Sequence, residues 1–121
     1  MQPKLGSCPP PARLVHAISL LQEKWVLFIV LGLLEGPQGF NELARRSRGV
    51  NTTTLSQRLE LLEAEGIVTK TIQSTMPPKT SYELTAAGRG LRDVLRAIHG
   101  WAEKFLDETV PEECEIQSGS Q

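Results

Sequence analysis

Residues 40–65 of the chain read FNELARRSRGVNTTTLSQRLELLEAE and contain two short helical patterns separated by a glycine-containing turn. In the first pattern, the apolar residues Phe40, Leu43 and Ala44 share one helical face. Gly49 supplies the turn, because glycine adopts a positive φ without a Cβ clash. Two short helices joined by such a turn are typical of a helix-turn-helix unit.

The second helix of this unit is predicted to run from Thr52 to Glu65. Asn51 precedes it, and an asparagine side-chain oxygen caps the unpaired N–H groups of a first helical turn. Gly66 follows it at the position of a left-handed C-terminal cap. Leucines recur inside the helix at i, i+4 and i+7 and predict a buried stripe, namely Leu55, Leu59 and Leu62.

The polar face of this second helix, which we call the reading helix, carries candidate base-reading residues. With the leucine stripe turned inward, Thr53 and Gln57 point away from the core, and Thr54 and Ser56 flank them. In a major groove, glutamine pairs with adenine and threonine methyl groups pack on thymine methyl groups. The alternative is a solvated structural helix with polar residues near its cap, and the helix alone does not decide between the two.

The charge of the chain is unevenly distributed. The 121 residues carry a net charge of −1, with 40% hydrophobic and 22% charged residues, which is typical of one globular domain. Residues 103–121 hold one basic and six acidic residues, whereas residues 1–102 hold 12 basic and eight acidic residues. An acidic tail therefore masks a mildly basic body.

Several features indicate a cytoplasmic protein. The chain does not open with a secretory signal pattern, and the apolar run Trp25–Leu34 is too short to span a bilayer. Cys8 and Cys114 lie near opposite ends and make no disulfide framework, which favours a reducing compartment. No membrane partner is expected.

The flanking segments are predicted from their proline content and periodicity. Residues 1–11 contain four of the eight prolines, which predicts a flexible arm. A first helix is predicted from about Ala12. Trp25–Leu34 is apolar nearly all round, which predicts a buried helix that Gly36 and Pro37 end.

After Gly66 the pattern changes to β-branched alternation. It predicts strands over Ile67–Gln73 and Thr80–Leu84, joined by a loop over Ser74–Lys79. A hairpin directly after a helix-turn-helix is a wing, which can bring Lys70 and Lys79 to DNA phosphates or a minor groove. The alternative is that both lysines are ordinary surface residues whose charges are solvated and contact no DNA.

A long closing helix is predicted from Ala86 to about Asp107, with Thr85 as its N-cap. Its apolar residues recur at a spacing of three and four: Leu91, Val94, Leu95, Ile98, Trp101, Ala102 and Phe105. A small domain buries such a stripe with difficulty, so we expect a two-fold dimer. The alternative is that the stripe packs entirely on the domain's own first helix.

The elements together predict a mainly α chain with a small β-hairpin, an α+β winged helix-turn-helix domain over residues 12–107. Residues 108–121 are predicted to be a disordered acidic tail.

At this point the chain resembles the HxlR family of bacterial winged helix-turn-helix regulators, which are relatives of the MarR type. The resemblance spans roughly residues 8–105 and rests on an ordered set of short matches: Cys8-Pro9, Lys24-Trp25, Leu33-Leu34-Glu35-Gly36-Pro37, Phe40-Asn41-Glu42-Leu43, Thr54-Leu55-Ser56-Gln57-Arg58-Leu59, Leu62-Glu63, Gly66-Ile67-Val68, Pro77-Pro78, Tyr82-Glu83-Leu84-Thr85 and Gly88.

The resemblance implies a cytoplasmic homodimer that binds a palindromic double-stranded DNA operator, with the first and last helices as the dimer interface. It implies these interface residues: Leu14, Ile18, Leu91, Leu95, Ile98, Trp101 and Phe105. Two departures stand out. Gln22-Glu23 replaces the family's glycine-containing pair before Lys24-Trp25, which predicts a helical turn there, and Thr53 stands where a basic residue is frequent.

The DNA-backbone set is predicted as Arg45, Arg46, Arg48, Asn51, Thr52, Arg58, Lys70 and Lys79. Arg58 lies beside the leucine stripe, so an internal salt bridge is an equal alternative for it. The alternative function is a winged-helix protein-interaction module. In that case the acidic tail and the low overall charge prevent DNA binding.

Catalytic chemistry is not predicted. His16 and His99 lie in helical patterns without a serine, cysteine or carboxylate at triad or ligand spacing, and no phosphate loop or zinc spacing occurs. We therefore expect no enzyme activity, no metal and no cofactor, and the identity of any small-molecule effector stays open. A site for such an effector between the dimer helices and the reading helix is compatible with this reading.

Cys8 is the one candidate for redox chemistry. It matches the N-terminal Cys-Pro of the family, in which some members use this cysteine to sense oxidants or electrophiles. A sensor thiol must be accessible and partly thiolate. The alternative is a small apolar residue that plugs the start of the domain.

Overall fold

The computed structural model describes residues 10–47 and 49–107. Within these ranges the chain forms helices and strands in the following order: α1 (Ala12–Leu21), α2 (Val26–Leu33), β1 (Gln38–Gly39), α3 (Phe40–Arg46), α4 (Thr52–Ala64), β2 (Val68–Thr75), β3 (Pro78–Leu84), α5 (Ala86–Arg89) and α6 (Leu91–Phe105). The predicted winged helix-turn-helix, mainly α with a small β element, is confirmed. Cys8, Arg48, Cys114 and the predicted tail 108–121 lie outside the described residues.

Helix α2 is the centre of the core. Its residues Val26, Ile29 and Val30 have no exposed surface, because other elements cover the helix on most sides. The cover comes from the helix-turn-helix, the sheet and the start of α6, and its buried members are Leu43, Leu55, Leu59, Leu62, Val68, Tyr82 and Leu84. An apolar helix buried in this way agrees with the sequence prediction.

The expectation of a helical turn before Lys24-Trp25 is confirmed for Gln22, which is the αR C-cap of α1 and donates its N–H to the Ile18 carbonyl oxygen at 2.9 Å, but the helix does not continue into α2. Helix α1 ends at Leu21, and Trp25 adopts a left-handed backbone with φ of 79° at the start of α2. The two helices meet at 83°. This bend turns the all-apolar α2 into the core, and the surrounding packing holds Trp25 in a conformation that costs a non-glycine residue about 1–3 kcal/mol.

The helix-turn-helix forms as its local signals predict. Gly49 and Gly66 have φ of 94° and 78°, so both occupy the left-handed region that favours glycine. Leu55, Leu59 and Leu62 are at most 1% exposed and join α4 to the core cluster that contains the buried residues of α2 and α3.

The sheet is larger than the predicted hairpin. It is antiparallel with strand order β1-β3-β2, and its edge strand β1 was missed because two residues give no alternation. The predicted loop over Ser74–Lys79 is also wrong, since Ser74 pairs with Lys79 and Thr75 pairs with Pro78. Pro78 is compatible with a strand because it is the first residue of β3.

The closing helix is interrupted, contrary to the single helix predicted from Ala86 to Asp107. Thr85 caps α5 by accepting a hydrogen bond from the Gly88 amide at 3.2 Å, and Gly90 separates α5 from α6. Leu91 and Leu95 of α6 pack against the core, while Ile98, Trp101 and Phe105 stay 45–70% exposed. The alternative that the stripe packs entirely on the domain's own first helix is therefore wrong.

Across the described residues, no single helix combines the length and apolarity needed to cross a bilayer. Only α1 and α2 taken together pass that test by length and composition, and they are bent by 83° at their junction.

We expect Gly88→Ala to destabilise the fold. A methyl group at Gly88 would overlap the Ile67 carbonyl oxygen and lie 2.8 Å from Leu84 Cδ2, so either the backbone or a buried side chain must shift. Overpacking of this kind costs about 1–3 kcal/mol, measurable by urea unfolding. Gly100→Ala is the control, because its added methyl group meets open space in a helix interior and should stabilise by about 0.5–1 kcal/mol. A neutral Gly88→Ala variant would contradict this packing.

Candidate nucleic-acid interface

The first two turns of α4 present polar side chains to solvent. Asn51 begins the helix in an extended conformation, and its Oδ1 accepts a hydrogen bond from the Thr54 amide at 2.7 Å. Thr53 and Gln57 are exposed, while Thr54 and Ser56 are half-buried beside them, as the helical wheel predicts. The predicted base-reading set therefore lies together on one accessible face. Thr52 and Asn51 are exposed at the same end of the helix.

The arginines near this face have different environments. Residues 43–59 contain four arginines and no acidic residue, whereas the acidic residues of α4 lie towards its C-terminal end, at Glu60 and Glu63. Arg45 and Arg46 are exposed at the end of α3, and Arg46 Nη2 lies 2.8 Å from Glu35 Oε1. The four arginines therefore precede the acidic residues of α4 in sequence, and the start of α4 carries no acidic side chain.

Arg58 makes the internal contacts that were one of its two alternatives. Its Nε donates a hydrogen bond to the Lys24 carbonyl oxygen at 2.9 Å, and its Nη2 lies 3.8 Å from Glu23 Oε1. Its side chain is 23% exposed. Arg58 therefore ties α4 to the turn between α1 and α2.

Trp25 extends the same connection to the turn of the helix-turn-helix. Its Cη2 lies 3.5 Å from the point where a Cβ of Gly49 would stand, and its ring centroid lies 5.9 Å from that of Phe28. The α1–α2 turn therefore contacts both the reading helix, through Arg58, and the turn before it, through Trp25.

The wing carries both predicted lysines on its surface. Lys70 on β2 stands opposite Tyr82, and Lys79 stands opposite Ser74 next to the Met76–Pro77 turn. Both lysines are exposed, and Met76 at the turn is 89% exposed. The hairpin tip is consequently open to a partner.

The predicted dimer residues divide into two groups. Leu91 and Leu95 pack on the core of their own domain, and Leu14 is half-buried. The others are exposed, one on α1 and three on α6, and they are Ile18, Ile98, Trp101 and Phe105. The rings of Trp101 and Phe105 on α6 lie 6.0 Å apart.

The sequence prediction that neither histidine has a carboxylate neighbour is wrong. His16 Nε2 lies 3.1 Å from Glu65 Oε1, and His99 Nε2 lies 3.4 Å from Glu103 Oε2. The first pair depends on packing of α1 near the end of α4, and the second on i,i+4 spacing. Over residues 10–47 and 49–107, no three histidine, cysteine or acidic side chains gather as a metal site would require.

The sequence did not locate a cleft of about 410 Å³ between α2, α3 and α6. The effector site considered from the sequence was placed next to the reading helix, but α4 contributes no lining residue to this cleft. Gly32, a glycine within the apolar pattern of α2, was the one signal that pointed towards it.

Comparison with known proteins gives consistent results. Residues 20–110 match a family model described as HxlR-like helix-turn-helix. The chain is 35% identical over 100 residues to the HTH-type transcriptional regulator YvaP of Bacillus subtilis, a match that covers 83% of this chain and 90% of YvaP.

Solved structures of regulators are similar to the chain as well. The reduced form of the transcriptional regulator YodB from B. subtilis has a TM-score of 0.74 at 29% identity, covering 83% of this chain and 98% of YodB. The quinone-bound form of YodB has a TM-score of 0.71 at 28% identity, covering 78% and 99%. The redox regulator HypR in its reduced form has a TM-score of 0.73 at 28% identity, covering 79% and 95%.

We expect Asn51→Ala to destabilise the start of α4, because the Thr54 amide loses the side-chain oxygen that accepts its hydrogen bond. The loss should be about 1 kcal/mol in the free energy of unfolding and should speed hydrogen exchange at the Thr54 amide. Asn51→Asp keeps an acceptor oxygen and serves as the control. Equal exchange rates in Asn51→Ala and the unmodified protein would show that the cap contributes nothing.

Proposed function

Because the chain belongs to the HxlR-like helix-turn-helix family of transcriptional regulators, we propose that it binds a palindromic double-stranded DNA operator as a homodimer. The observation that carries this proposal is the acid-free start of α4, where Thr53 and Gln57 are exposed on a capped helix. The proposed location is the cytoplasm, where a bacterial operator lies.

In this proposal α4 enters a major groove. Gln57 pairs with an adenine edge, and Thr53, Thr54 and Ser56 make short polar contacts or pack on thymine methyl groups. Such short side chains reach the bases only if the helix comes close to them. Thr53 permits this approach because it is shorter than a basic residue at the same position. Specificity then depends on hydrogen bonds and methyl contacts at the first two turns of α4.

Phosphate contacts are assigned to the residues around this face. Arg45 and the exposed α4 N-terminus, with Asn51 and Thr52, suit phosphates beside the groove, since the unpaired N–H groups of a helix start attract anions. Lys70 and Lys79 on the wing suit phosphates farther along the duplex. Arg48 joins this set on sequence alone. Arg46 is paired with Glu35, and Arg58 is bound to the α1–α2 turn. Each of these arginines would bind a phosphate either beside its protein partner or in place of it.

The exposed apolar residues of α1 and α6 support the homodimer. Ile18, Trp101 and Phe105 are each more than half exposed, and exposed apolar surface such as the Trp101–Phe105 pair is typical of an interface. A two-fold dimer would place two α4 helices about 34 Å apart, one helical turn of DNA.

One observation favours the alternative, a winged-helix module that binds a protein. Over residues 40–84, six basic residues face five acidic ones, so the unit as a whole is nearly neutral. The uneven placement of the acidic residues supports DNA instead, because three of the five lie at the end of α4 remote from its capped start. The dependence of binding on salt distinguishes the two candidates.

We expect Gln57→Ala and Lys79→Ala to affect DNA binding in different ways. With operators selected from a random DNA pool, Gln57→Ala should lose about 1–3 kcal/mol of discrimination at one base pair and keep the salt slope. Lys79→Ala should weaken all sequences alike and reduce the slope of log affinity against log salt by about 0.9. Fluorescence anisotropy from 50 to 300 mM salt measures both. DNA binding is rejected if the selection yields no bound sequence, or if the affinity of the unmodified protein does not depend on salt.

We further propose that oxidation of Cys8 modulates DNA binding. The support is the N-terminal Cys-Pro match, together with the similarity to YodB, solved with quinone bound, and to the redox regulator HypR. In the proposed reaction, diamide removes two electrons and two protons from two thiols, Cys8 and Cys114 of the partner subunit, and a disulfide forms.

Diamide should therefore lower the operator affinity of the unmodified protein and leave Cys8→Ser unaffected. Cys114→Ser identifies the second thiol, since it should block the intermolecular disulfide seen by non-reducing electrophoresis. The same loss of affinity in Cys8→Ser as in the unmodified protein would remove Cys8 from the mechanism, without bearing on whether DNA is bound.

A further inference from the structure

We propose that the cleft between α2, α3 and α6 binds an uncharged, mainly apolar small molecule that carries one hydrogen-bond-accepting oxygen. The cleft has a volume of about 410 Å³, within the range of about 300–1,000 Å³ that small-molecule sites occupy. Its walls are largely apolar, with Phe28 and Leu31 from α2, Leu43 from α3, and Leu95 and Ile98 from α6. This lining suits the apolar body of such a molecule.

Gly32 opens one wall of the cleft. It lies inside α2, its φ is not in the left-handed region, and a Cβ added there would meet no atom within 4 Å. Neither a turn nor close packing therefore requires glycine at this position, although glycine inside a helix is less stable than alanine by about 0.5–1 kcal/mol. A larger side chain would stand in the cleft, so Gly32 keeps the volume available.

The charges at the rim favour an uncharged ligand. Arg46 is paired with Glu35 at 2.8 Å, and His99 lies 3.4 Å from Glu103, so each basic group already has an acidic neighbour. An anion in the cleft would meet Glu35 as well as Arg46, and a cation would meet Arg46 as well as Glu35, so neither gains a net attraction from this pair. A guanidinium has five N–H donors, and Arg46 donates one hydrogen bond to the described residues, which leaves donors for an acceptor oxygen.

The depth of the cleft favours a small molecule over a helix of a second copy. Leu43 and Ser47 at its floor are at most 5% exposed, so an occupant must reach between α3 and α6. The most exposed aromatic residues of α6, Trp101 and Phe105, do not line it and remain for a dimer partner. Among the exposed residues predicted for the dimer interface, only Ile98 also lines the cleft.

A ligand in the cleft would contact both α6 and the first helix of the helix-turn-helix. It would directly touch Arg46 at the end of α3 and Ser47, the residue that follows it. It would also touch Phe28, whose ring neighbours Trp25, and Trp25 in turn packs against Gly49. Any regulatory consequence of this contact rests on the proposed function, whereas ligand binding itself does not.

Three related compounds test the site: 2-acetonaphthone, which is neutral with an acceptor oxygen, 2-naphthoate, which is an anion, and 2-naphthylmethylammonium, which is a cation. Calorimetry on the full chain should give one ketone per protomer, bound at least tenfold more tightly than either charged compound. The chain has two tryptophans. With ¹⁵N-labelled tryptophan, assigned by Trp101→Phe, the ketone should shift the Trp25 indole signal and leave that of Trp101 in place.

Gly32→Leu fills the cleft and should lower ketone affinity at least tenfold. Gly100→Leu is the matched control, because it makes the same change at a helix-interior glycine that does not line the cleft, and it should bind the ketone normally. Arg46→Met is a second variant, which removes the donor from an exposed position. It should weaken the ketone severalfold even if Gly32→Leu does not fold.

Equal ketone binding by Gly32→Leu and Gly100→Leu, or tighter binding of 2-naphthoate, would overturn the proposal. A third outcome would also overturn it: the unmodified protein binds no ketone, and Gly32→Leu loses the dimer while Gly100→Leu keeps it. In that case a second copy of the chain occupies the cleft. Ketone binding by a protein that binds no DNA would leave the site standing and reject the proposed function instead.

Discussion

The structure depends on the burial of α2, a helix with apolar residues on nearly every side. Val26, Ile29 and Val30 have no contact with solvent, and no single neighbour can cover them. The leucines of α4, Leu43 of α3, the sheet and the start of α6 each cover one side. Removing an apolar helix from water on most of its sides therefore fixes the relative positions of the elements that carry the functional surfaces.

The same constraint determines which residues are left for function. Once the stripe of α4 faces α2, its short polar side chains must face outward at the capped end of the helix. Once Leu91 and Leu95 rest on the core, the aromatic residues farther along α6 extend beyond it and stay exposed. The candidate reading face and the candidate dimer face are thus two consequences of one buried helix.

The two faces are also connected through the ends of α2. At its start, Trp25 packs near Gly49, and the neighbouring Lys24 carbonyl accepts a hydrogen bond from Arg58 of α4. Towards its end, Gly32 opens the cleft that α3 and α6 complete. Ligand binding in the cleft or dimer contact on α6 would therefore act on elements that contact the helix-turn-helix. These shared contacts are how such binding could alter the position of α4.

The features that the sequence alone determined are those set by neighbours along the chain. Caps and stripes depend on residues within one or two turns, so Asn51, Gly66, Thr85 and the leucines of α4 were predicted correctly. The features that only the tertiary structure decided depend on residues distant in sequence. Strand β1 exists because Gln38 pairs with Tyr82, and Arg58 finds its acceptor 34 positions away at Lys24. The bend at Trp25 and the cleft beside Gly32 likewise arise from how helices pack around α2. Periodicity along one helix contains no information about which helix will stand opposite it.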